Sequence, residues 1–312
     1  MSKTVFSFGK VLWDILPNAV VLGGAPLNFA YRIHSLGNTG YMISRLGRDE
    51  LGIKAHQTIL GLGLADTFVQ WDDHHPTGTV NVSFDANKNP DYVINPGVAY
   101  DHIELVPSLA DAIVDADCLC FGTLAQRSFK ARETLMQLVS QLPHTLLFLD
   151  INLRKACYSP DTIAYSLEKA DILKLNRDEA VQLASLLGLA WSGLPAFCKE
   201  IVNSYHLDYC LVTLAELGAY VQAWDDRPVY VPGYQVNLVD SLGSGDAFSA
   251  GFIHSVLHGK PVQEACEFGN LLGAIIATQQ GATVPISEPD RAQFLATHAV
   301  RCTVPSLEAF IP

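Results

Sequence analysis

Short apolar runs alternate with longer stretches of helical periodicity along most of the chain. Several of the short runs are apolar at consecutive positions, which is typical of strands covered by helices on both faces. The strands predicted from these runs are Val5–Phe8, Tyr41–Ser44, Cys118–Phe121, Leu146–Leu149, Ile172–Leu175 and Tyr209–Thr213. The helices predicted between them are Leu27–Leu36, Leu51–Leu60, Lys130–Leu142, Thr162–Lys169, Asp178–Leu187 and Pro195–Tyr205. This alternation predicts an α/β fold with a mainly parallel sheet and right-handed crossovers.

One region, residues 67–100, interrupts this alternation. It is rich in Thr, Val and Tyr, and it has turn signals at Asp85–Pro90 and Pro96–Gly97. Thr79–Phe84 and Asp91–Ile94 are predicted to form a hairpin. Such an insertion is often a lid or an oligomer contact, and the alternative is a surface hairpin without a function. We predict one domain, residues 1–312, with a small β lid formed from about 10–22 and 67–100, which is also a candidate homodimer contact.

Charge restricts the function classes. The chain has 20 Lys and Arg against 32 Asp and Glu, a formal net charge of −12, and 49% of its residues are hydrophobic. This apolar content excludes a disordered chain, and the acidic excess argues against nucleic acid as a partner. A small anionic ligand is not excluded, because a closed site can use backbone N–H groups and a helix dipole instead of a basic surface.

Three features indicate a cytoplasmic protein. The N-terminus lacks the apolar region of a secretory signal. The long uncharged run Phe268–Ser287 contains Asn270 and Pro285, so it is predicted to be a buried helix and turn and not a membrane span. The seven cysteines are odd in number, and most stand in apolar surroundings, which argues against a disulfide framework.

The stretch from Asp240 to Phe252 concentrates the candidate chemistry. Between Ser241 and Gly259 the one charged side chain is Asp246, and the residues after it predict a buried helix. Glycines before a helix expose backbone N–H groups at the positive end of its dipole, so they predict an anion site with a carboxylate beside it. The alternative is that Asp246 only caps the helix. The stretch has neither the Gly-Lys-Ser/Thr of a P-loop nor the spacing of a dinucleotide fingerprint.

A second cluster lies near the N-terminus. The paired glycines of Gly23-Gly24-Ala-Pro-Leu-Asn28 allow the backbone to approach a ligand closely. Asn28 is placed at the start of a helix, where it either caps the helix or binds a substrate hydroxyl. Asp14 follows the first strand, and it is either a ligand for polyol hydroxyls or an exposed turn residue.

Two further clusters follow buried strands, where ligands bind in open α/β sheets. Arg154, in Asp150-Ile-Asn-Leu-Arg154, has the planar fork that clamps a phosphate. Glu179, in Asn176-Arg-Asp-Glu179, could hold Mg²⁺ through water. The alternative for Glu179 is a favourable interaction with the dipole at the start of a helix.

Taken together and in this order, the clusters resemble motifs of the PfkB/ribokinase family of sugar kinases. Asp240-Ser-Leu-Gly-Ser-Gly-Asp246 is similar to the family signature D-T-x-G-A-G-D, and Gly23–Asn28 is similar to G-G-A-P-x-N. The element Ser44-Arg-Leu-Gly-Arg-Asp-Glu-Leu-Gly52 resembles S-x-x-G-x-D-x-x-G. Asp150–Arg154 and Asn176–Glu179 resemble D-P-N-x-R and N-x-x-E. Three segments are most similar to the bacterial fructokinase branch of the family. They are the variant GGAPLNFA, Thr77-Gly-Thr-Val and Gly122-Thr-Leu-Ala-Gln-Arg127.

The resemblance implies a ribokinase-like three-layer sandwich and transfer of the γ-phosphoryl of ATP to a primary sugar hydroxyl. It implies that Asp246 is the general base, that the Gly243, Ser244 and Gly245 N–H groups form an anion hole, and that Arg154 stabilises the transferring phosphoryl. The other implied ligands are Asp14, Gly24, Asn28 and Arg127 for the sugar; Asn176, Thr213, Gly218, Gly245 and Asn270 for the nucleotide; Glu179 and Asn176 for Mg²⁺; and Asp240, Ser241 and Gly281 for K⁺.

D-Fructose, giving fructose 6-phosphate, is the leading acceptor. Lys10 stands where fructokinases commonly have Glu, and Ile151 replaces the Pro of D-P-N-x-R. The charge reversal at Lys10 leaves ribose, 2-keto-3-deoxygluconate and adenosine as alternatives. A non-catalytic sugar-binding regulator on the same fold is a further alternative, which the presence of Asp246 disfavours.

Overall fold

A computed structural model describes residues 1–16, 19–84, 90–154, 157–225 and 227–312. The chain forms two compact units. Unit 1 comprises Met1–Cys120 and Leu124–Thr145, and unit 2 comprises Phe121–Thr123 and Leu146–Pro312.

Unit 1 is built on parallel strands. Its strands are β1 Thr4–Phe8, β2 Leu12–Leu16, β3 Ala19–Gly23, β4 Thr39–Gly47, β5 Val69–Asp72, β6 Gly78–Phe84, β7 Pro90–Ile94 and β8 Cys118–Phe121. Its helices are α1 Ala25–Ser35, α2 Glu50–Gly61, α3 Pro107–Ile113 and α4 Phe129–Ser140. Strands β8, β1, β4 and β5 pair in that order, all parallel.

A smaller sheet in unit 1 has the strand order β3-β2-β6-β7. The β2–β3 and β6–β7 pairs are antiparallel, whereas β2 and β6 run parallel. The predicted hairpin is therefore confirmed as β6 and β7, while the predicted turn at residues 85–89 lies outside the described residues. Strand β5, which the predicted lid included, pairs instead with β4. That the small sheet acts as a lid or a dimer contact stays a prediction, as does the single domain over residues 1–312.

Unit 2 continues the alternation of strands and helices. Its strands are β9 Leu146–Asp150, β10 Ile172–Asn176, β11 Tyr209–Thr213, β12 Ala219–Ala223, β13 Pro228–Val231, β14 Gly233–Tyr234 and β15 Arg301–Cys302. Its helices are α5 Pro160–Lys169, α6 Arg177–Leu186, α7 Leu194–Tyr205, α8 Ser244–Leu257, α9 Val262–Ala277 and α10 Glu288–Thr297. Strands β9, β10 and β11 are parallel, β12 and β13 extend them antiparallel, and β14 pairs with β15.

The α/β prediction is confirmed, and each strand and helix predicted from the alternation is present within a few residues. The largest shift that matters is at α1, which begins at Ala25 and not at Leu27, because Pro26 is well suited to the first turn of a helix. Within the described part of the chain, no helix is both long and apolar enough to cross a membrane.

Candidate active site

Helix α8 begins with the geometry that its glycines predict. Gly243 is the N-cap residue, with a left-handed φ of 77°. A β-carbon at this position would overlap the β-carbon of Ala282, so the close approach of the two segments requires glycine. Asp246 lies in the first turn, three residues after the cap. The alternative that Asp246 caps this helix is therefore wrong.

The first turn of α8 leaves backbone N–H groups for an anion. The hydrogen-bond ladder of the helix starts with the Ala247 N–H, which donates to the Gly243 carbonyl at 2.8 Å. The N–H groups of Ser244 and Gly245 precede it and have no partner within the helix, as at any helix start. Ser244 donates a long 3.3 Å bond to the Ser241 carbonyl. The Gly245 N–H is thus better placed than that of Ser244 for the predicted anion hole.

A buried lysine, which the sequence interpretation missed, lies against this turn. Lys174 Nζ is 3.1 Å from both carboxylate oxygens of Asp150, and a β-carbon on Gly245 would be 3.4 Å from Nζ. Burial opposes the charge of Lys174, but the carboxylates of Asp150, Glu179 and Asp246 together raise its pKa. Unit 2 therefore brings three carboxylates around one ammonium. The signal in the sequence was a single lysine in the otherwise apolar run Ile172–Leu175.

Glu179 and Asn176 form a capping box at the start of α6. The Asn176 side chain accepts from the Glu179 N–H at 2.9 Å, and Glu179 accepts from the Asn176 N–H at 2.9 Å. Glu179 also accepts from the Leu153 N–H at 3.1 Å and lies 3.4 Å from the Arg154 guanidinium. The Arg154 side chain is 48% exposed, whereas that of Glu179 is 7% exposed. Glu179 thus anchors the segment that presents Arg154.

The same contacts decide how these residues could serve Mg²⁺. Both Glu179 oxygens accept hydrogen bonds, and the Asn176 oxygen is engaged by the cap, so this pair does not fit direct coordination. It fits an outer position in which Glu179 accepts from a water on the metal. Among the residues that the structure describes, no group of three or more His, Cys, Asp and Glu side chains is arranged to hold a metal ion.

The predicted K⁺ ligands Asp240 and Gly281 lie together. The Asp240 carboxylate accepts from the Gly281 N–H at 3.2 Å and from the Leu242 N–H at 2.9 Å. These bonds join the loop before α8 to the segment that contains Ala282. The neighbouring Ser241 side chain is exposed. The contacts of Asp240 are those of a loop anchor, and its role in binding K⁺ stays a prediction.

The predicted nucleotide residues Thr213, Gly218 and Asn270 lie at the end of β11, directly before β12 and in the middle of α9. Thr213 ends β11, and Gly218, with φ 94°, packs so closely on Val231 that a β-carbon would overlap the Val231 carbonyl oxygen. The Asn270 amide donates to the carbonyl groups of Val231 and Pro232, at 3.1 and 3.3 Å. Gly218 and Asn270 therefore both fix the β13–β14 connection, which is a structural role that the motif alone did not reveal.

Two of the predicted sugar residues, Asp14 and Gly24, lie in β2 and directly after β3. A β-carbon on Gly23 would be 2.8 Å from Asp14 Oδ2, and one on Gly24 would overlap the Lys10 carbonyl. Burial raises the pKa of the Asp14 carboxyl, and the positive charge of Lys10 offsets part of this shift. Asp14 belongs to β2, so the alternative of an exposed turn residue is wrong.

Asn28 and Arg127 are more constrained than their motifs suggested. Asn28 is buried inside α1, four residues after its Gly24 cap, so the capping alternative is wrong. Arg127 is clamped by Asp101, whose carboxylate accepts from Nε at 2.8 Å and from a terminal nitrogen at 2.9 Å. It also donates to the Asn95 carbonyl at 2.7 Å. Arg127 therefore orders the segment after β7, and its contact with a sugar stays a prediction.

A carboxylate in the first turn of a glycine-capped helix, close to a buried lysine and in the same unit as an exposed arginine, is suited to moving a phosphoryl group onto an alcohol. Residues 18–289 match the model of the pfkB family carbohydrate kinases, and the chain belongs to this family. It is thus a phosphotransferase with an alcohol group as acceptor.

Three similar proteins illustrate the relationship. The chain is 27% identical to Fructokinase-1 of Oryza sativa subsp. japonica over 90% of this chain and 94% of that protein. A crystal structure of fructokinase with bound ATP from Xylella fastidiosa matches with a TM-score of 0.83 at 20% identity, over 95% of this chain and 99% of that one. A fructokinase double mutant from Vibrio cholerae O395, with fructose, ADP and potassium ion bound, matches with a TM-score of 0.81 at 22% identity, over 95% and 100%. The two structures establish that this chain has their fold.

Proposed function

We propose that this protein transfers the γ-phosphoryl group of ATP to a primary hydroxyl of a sugar, with D-fructose as the acceptor and fructose 6-phosphate as the product. The observation that carries the proposal is Asp246 in the first turn of α8, directly after the left-handed Gly243 cap. The cap and the helix dipole favour an anion at this turn, and the carboxylate places a base beside it. The similarity to fructokinases supports fructose as the acceptor.

Each residue has a defined role in this proposal. Asp246 takes the proton of the attacking hydroxyl, while the N–H groups of Gly243, Ser244 and Gly245 stabilise the negative charge of the phosphoryl group. The exposed guanidinium of Arg154, anchored through Glu179, neutralises the same charge. Asp14, Gly24, Asn28 and Arg127 bind the sugar, and Thr213, Gly218 and Asn270 bind the nucleotide together with Asn176.

Mg²⁺ would be bound chiefly by the phosphates of ATP and by water, with Glu179 and Asn176 in the outer position described above. Bound Mg²⁺ supplies neutralisation of the phosphate charge. Potassium near the anion hole would use Asp240, Ser241 and Gly281, with the same electrostatic effect. The protein's own contribution is to position the hydroxyl and to keep Asp246 and Arg154 in place.

The positive charge of Lys10 near Asp14 favours a second acceptor class. Lys10 is buried and brings a positive charge to the residues proposed to hold the sugar. A buried ammonium favours an acceptor with its own negative charge, such as the carboxylate of 2-keto-3-deoxygluconate. Ribose and adenosine lack that charge.

A coupled assay of ADP formation across fructose, 2-keto-3-deoxygluconate, ribose and adenosine tests the proposal. We expect the highest kcat/KM with fructose and phosphorylation at its primary hydroxyl, identified by NMR of the product. Turnover of another acceptor without turnover of fructose would contradict the assignment. In that case, a preference of the wild type for 2-keto-3-deoxygluconate would support the acidic class, provided that this preference decreases in a K10E variant.

A further inference from the structure

Lys174 is a charged residue at the centre of a buried strand. Its neighbours Leu173 and Leu175 are fully buried, and Lys174 itself is only 7% exposed. A lysine is rarely buried unless it is paired, since removing its charge from water is costly. Neither the sequence motifs nor the proposed reaction uses this residue.

The groups around Lys174 come from strand β9 and from helices α6 and α8 of unit 2. In the parallel β9–β10 pair Lys174 lies opposite Asp150, and its Nζ is 3.1 Å from both oxygens of that carboxylate. The Ser249 hydroxyl, on α8, donates to Asp150 Oδ2 at 3.1 Å. Ser249 lies one helical turn after Gly245, on the same face of α8. The Lys174–Asp150 pair therefore contacts this face at the start of the helix.

The position of the ammonium has an electrostatic consequence. A cation near the N-terminus of a helix is repelled by the positive end of the helix dipole. The position of Lys174 therefore has an electrostatic cost. That cost is offset by Asp150, and the same charge adds to the dipole in attracting anions to the first turn of α8. A helix start that needed only structural support would be served by an apolar side chain.

We propose that Lys174 is a positioning residue for phosphoryl transfer: its ammonium, held by Asp150 against Gly245, keeps Asp246 ionised and strengthens the anion site at the start of α8. The inference rests on the proposed function, and it concerns the base and the anion site rather than the identity of the sugar.

The other charges around this turn are few among the described residues. Asp150 lies on β9, Glu179 on α6, Arg154 in the segment after β9, and Asp240 in the loop before α8. The end of α9 that follows Gly269 has no charged side chain up to Ala277. Removal of the Lys174 charge should therefore shift the ionisation of Asp246 toward higher pH. Arg154 does not replace this charge, because it is exposed and solvent screens its effect more than that of the buried Lys174.

A double-mutant comparison separates this effect from a loss of folding. K174Q alone leaves the Asp150 charge buried without its partner, which destabilises a protein strongly. D150N/K174Q replaces the pair by two neutral groups, and D150N alone keeps the lysine. The K3Q/D117N variant is the matched control, since it neutralises a Lys–Asp pair of 2.8 Å in unit 1. Each variant is assayed with an acceptor that the wild-type protein phosphorylates, after its fold is checked by circular dichroism.

We expect kcat of D150N/K174Q to be roughly 10- to 100-fold below that of D150N, a loss comparable to removal of one preorganised charge. The KM for the sugar should change little, and the acidic limb of the kcat profile should lie at higher pH in D150N/K174Q than in D150N. K3Q/D117N should match the wild type. Equal kcat and equal acidic limbs in folded D150N and D150N/K174Q would overturn the proposal. Absence of fructose turnover by the wild type would count only against fructose as the acceptor. D150N and D150N/K174Q would then be compared with another of the four acceptors that the wild type phosphorylates.

Discussion

At the scale of single residues, the same residue type has different roles according to its position in a helix. Asn176 and Asp49 are N-caps whose side chains accept from a backbone N–H three residues ahead. Asp246 is also in a first turn, yet the cap of its helix is Gly243. Its carboxylate is therefore not required to start the helix, and chemistry gives a better reason for its presence than capping does.

Replacement of this carboxylate tests that reason. We expect D246N to reduce kcat on the order of 10²- to 10⁴-fold, because an amide cannot accept the hydroxyl proton. Binding of ATP, measured by isothermal titration calorimetry, should persist, since the backbone N–H groups of the turn are unchanged. D178N is the matched control: it neutralises an exposed carboxylate in the first turn of α6 and should leave kcat at the wild-type value. Wild-type turnover by D246N would refute the assignment of Asp246 as the base.

At the scale of elements, periodicity located the helices and strands well because their apolar faces are buried. It failed where side chains meet across elements. The run ILKLN predicts a strand but not that Lys174 faces Asp150 on the neighbouring strand, since that contact depends on strand order and register. The capping role of Asn28 was also a wrong alternative, because Pro26 allows α1 to begin before it. The motif glycines were predicted as ligand contacts, whereas Gly218 and Gly243 also allow two backbone segments to approach.

The glycines that flank α8 test the importance of this close approach. Gly243 and Gly259 both have a left-handed φ, of 77° and 72°. A β-carbon at Gly243 would overlap Ala282, whereas one at Gly259 would have no heavy atom within 4 Å. We expect G259A to lower the free energy of unfolding by about 1 kcal/mol, the strain of the left-handed backbone alone. G243A should lower it by about 3 kcal/mol, because overlap adds to that strain, and it should also reduce kcat.

Reversible denaturation in urea measures both free energies, and a kinetic assay of the folded fraction measures kcat. Equal destabilisation by the two substitutions would show that the packing of Gly243 on Ala282 contributes nothing. Destabilisation by G243A without any loss of kcat would separate the start of α8 from the anion site.

At the scale of the whole molecule, the net charge of −12 and the isoelectric point of about 5.2 describe solubility and long-range fields. They do not describe the environment of individual carboxylates, which the fold shifts in both directions. Burial raises the pKa of Asp14, while Asp72 is held low by its donors. Stability in acid is therefore set by a few paired carboxylates and not by the overall charge.

Asp72, at the end of β5, provides the clearest case. Burial opposes its charge, but the His74 and His75 N–H groups, at 2.8 and 2.9 Å, and the Arg45 guanidinium, at 2.9 Å, lower its pKa to about 2. An unfolded aspartate has a pKa of about 3.9, so the folded state releases the proton more readily and gains on the order of 2 to 3 kcal/mol of stability above that pH. This contribution is lost as the pH falls from about 4 to about 2, because protonation then removes the charge that the donors stabilise.

We therefore expect the free energy of unfolding to decrease more steeply in the wild type than in D72N as the pH is lowered from 5 toward 2.5. The difference between the two proteins should shrink steadily over this range and vanish only below about pH 2, where both have a neutral residue 72. D73N is the control, because the Asp73 side chain is 68% exposed and pairs with Arg48, whose side chain is 60% exposed. Its unfolding free energy should follow that of the wild type at every pH. A parallel pH dependence in wild type and D72N would show that the hydrogen bonds to Asp72 do not depend on its charge, and the acid sensitivity of the fold would then have to come from other carboxylates.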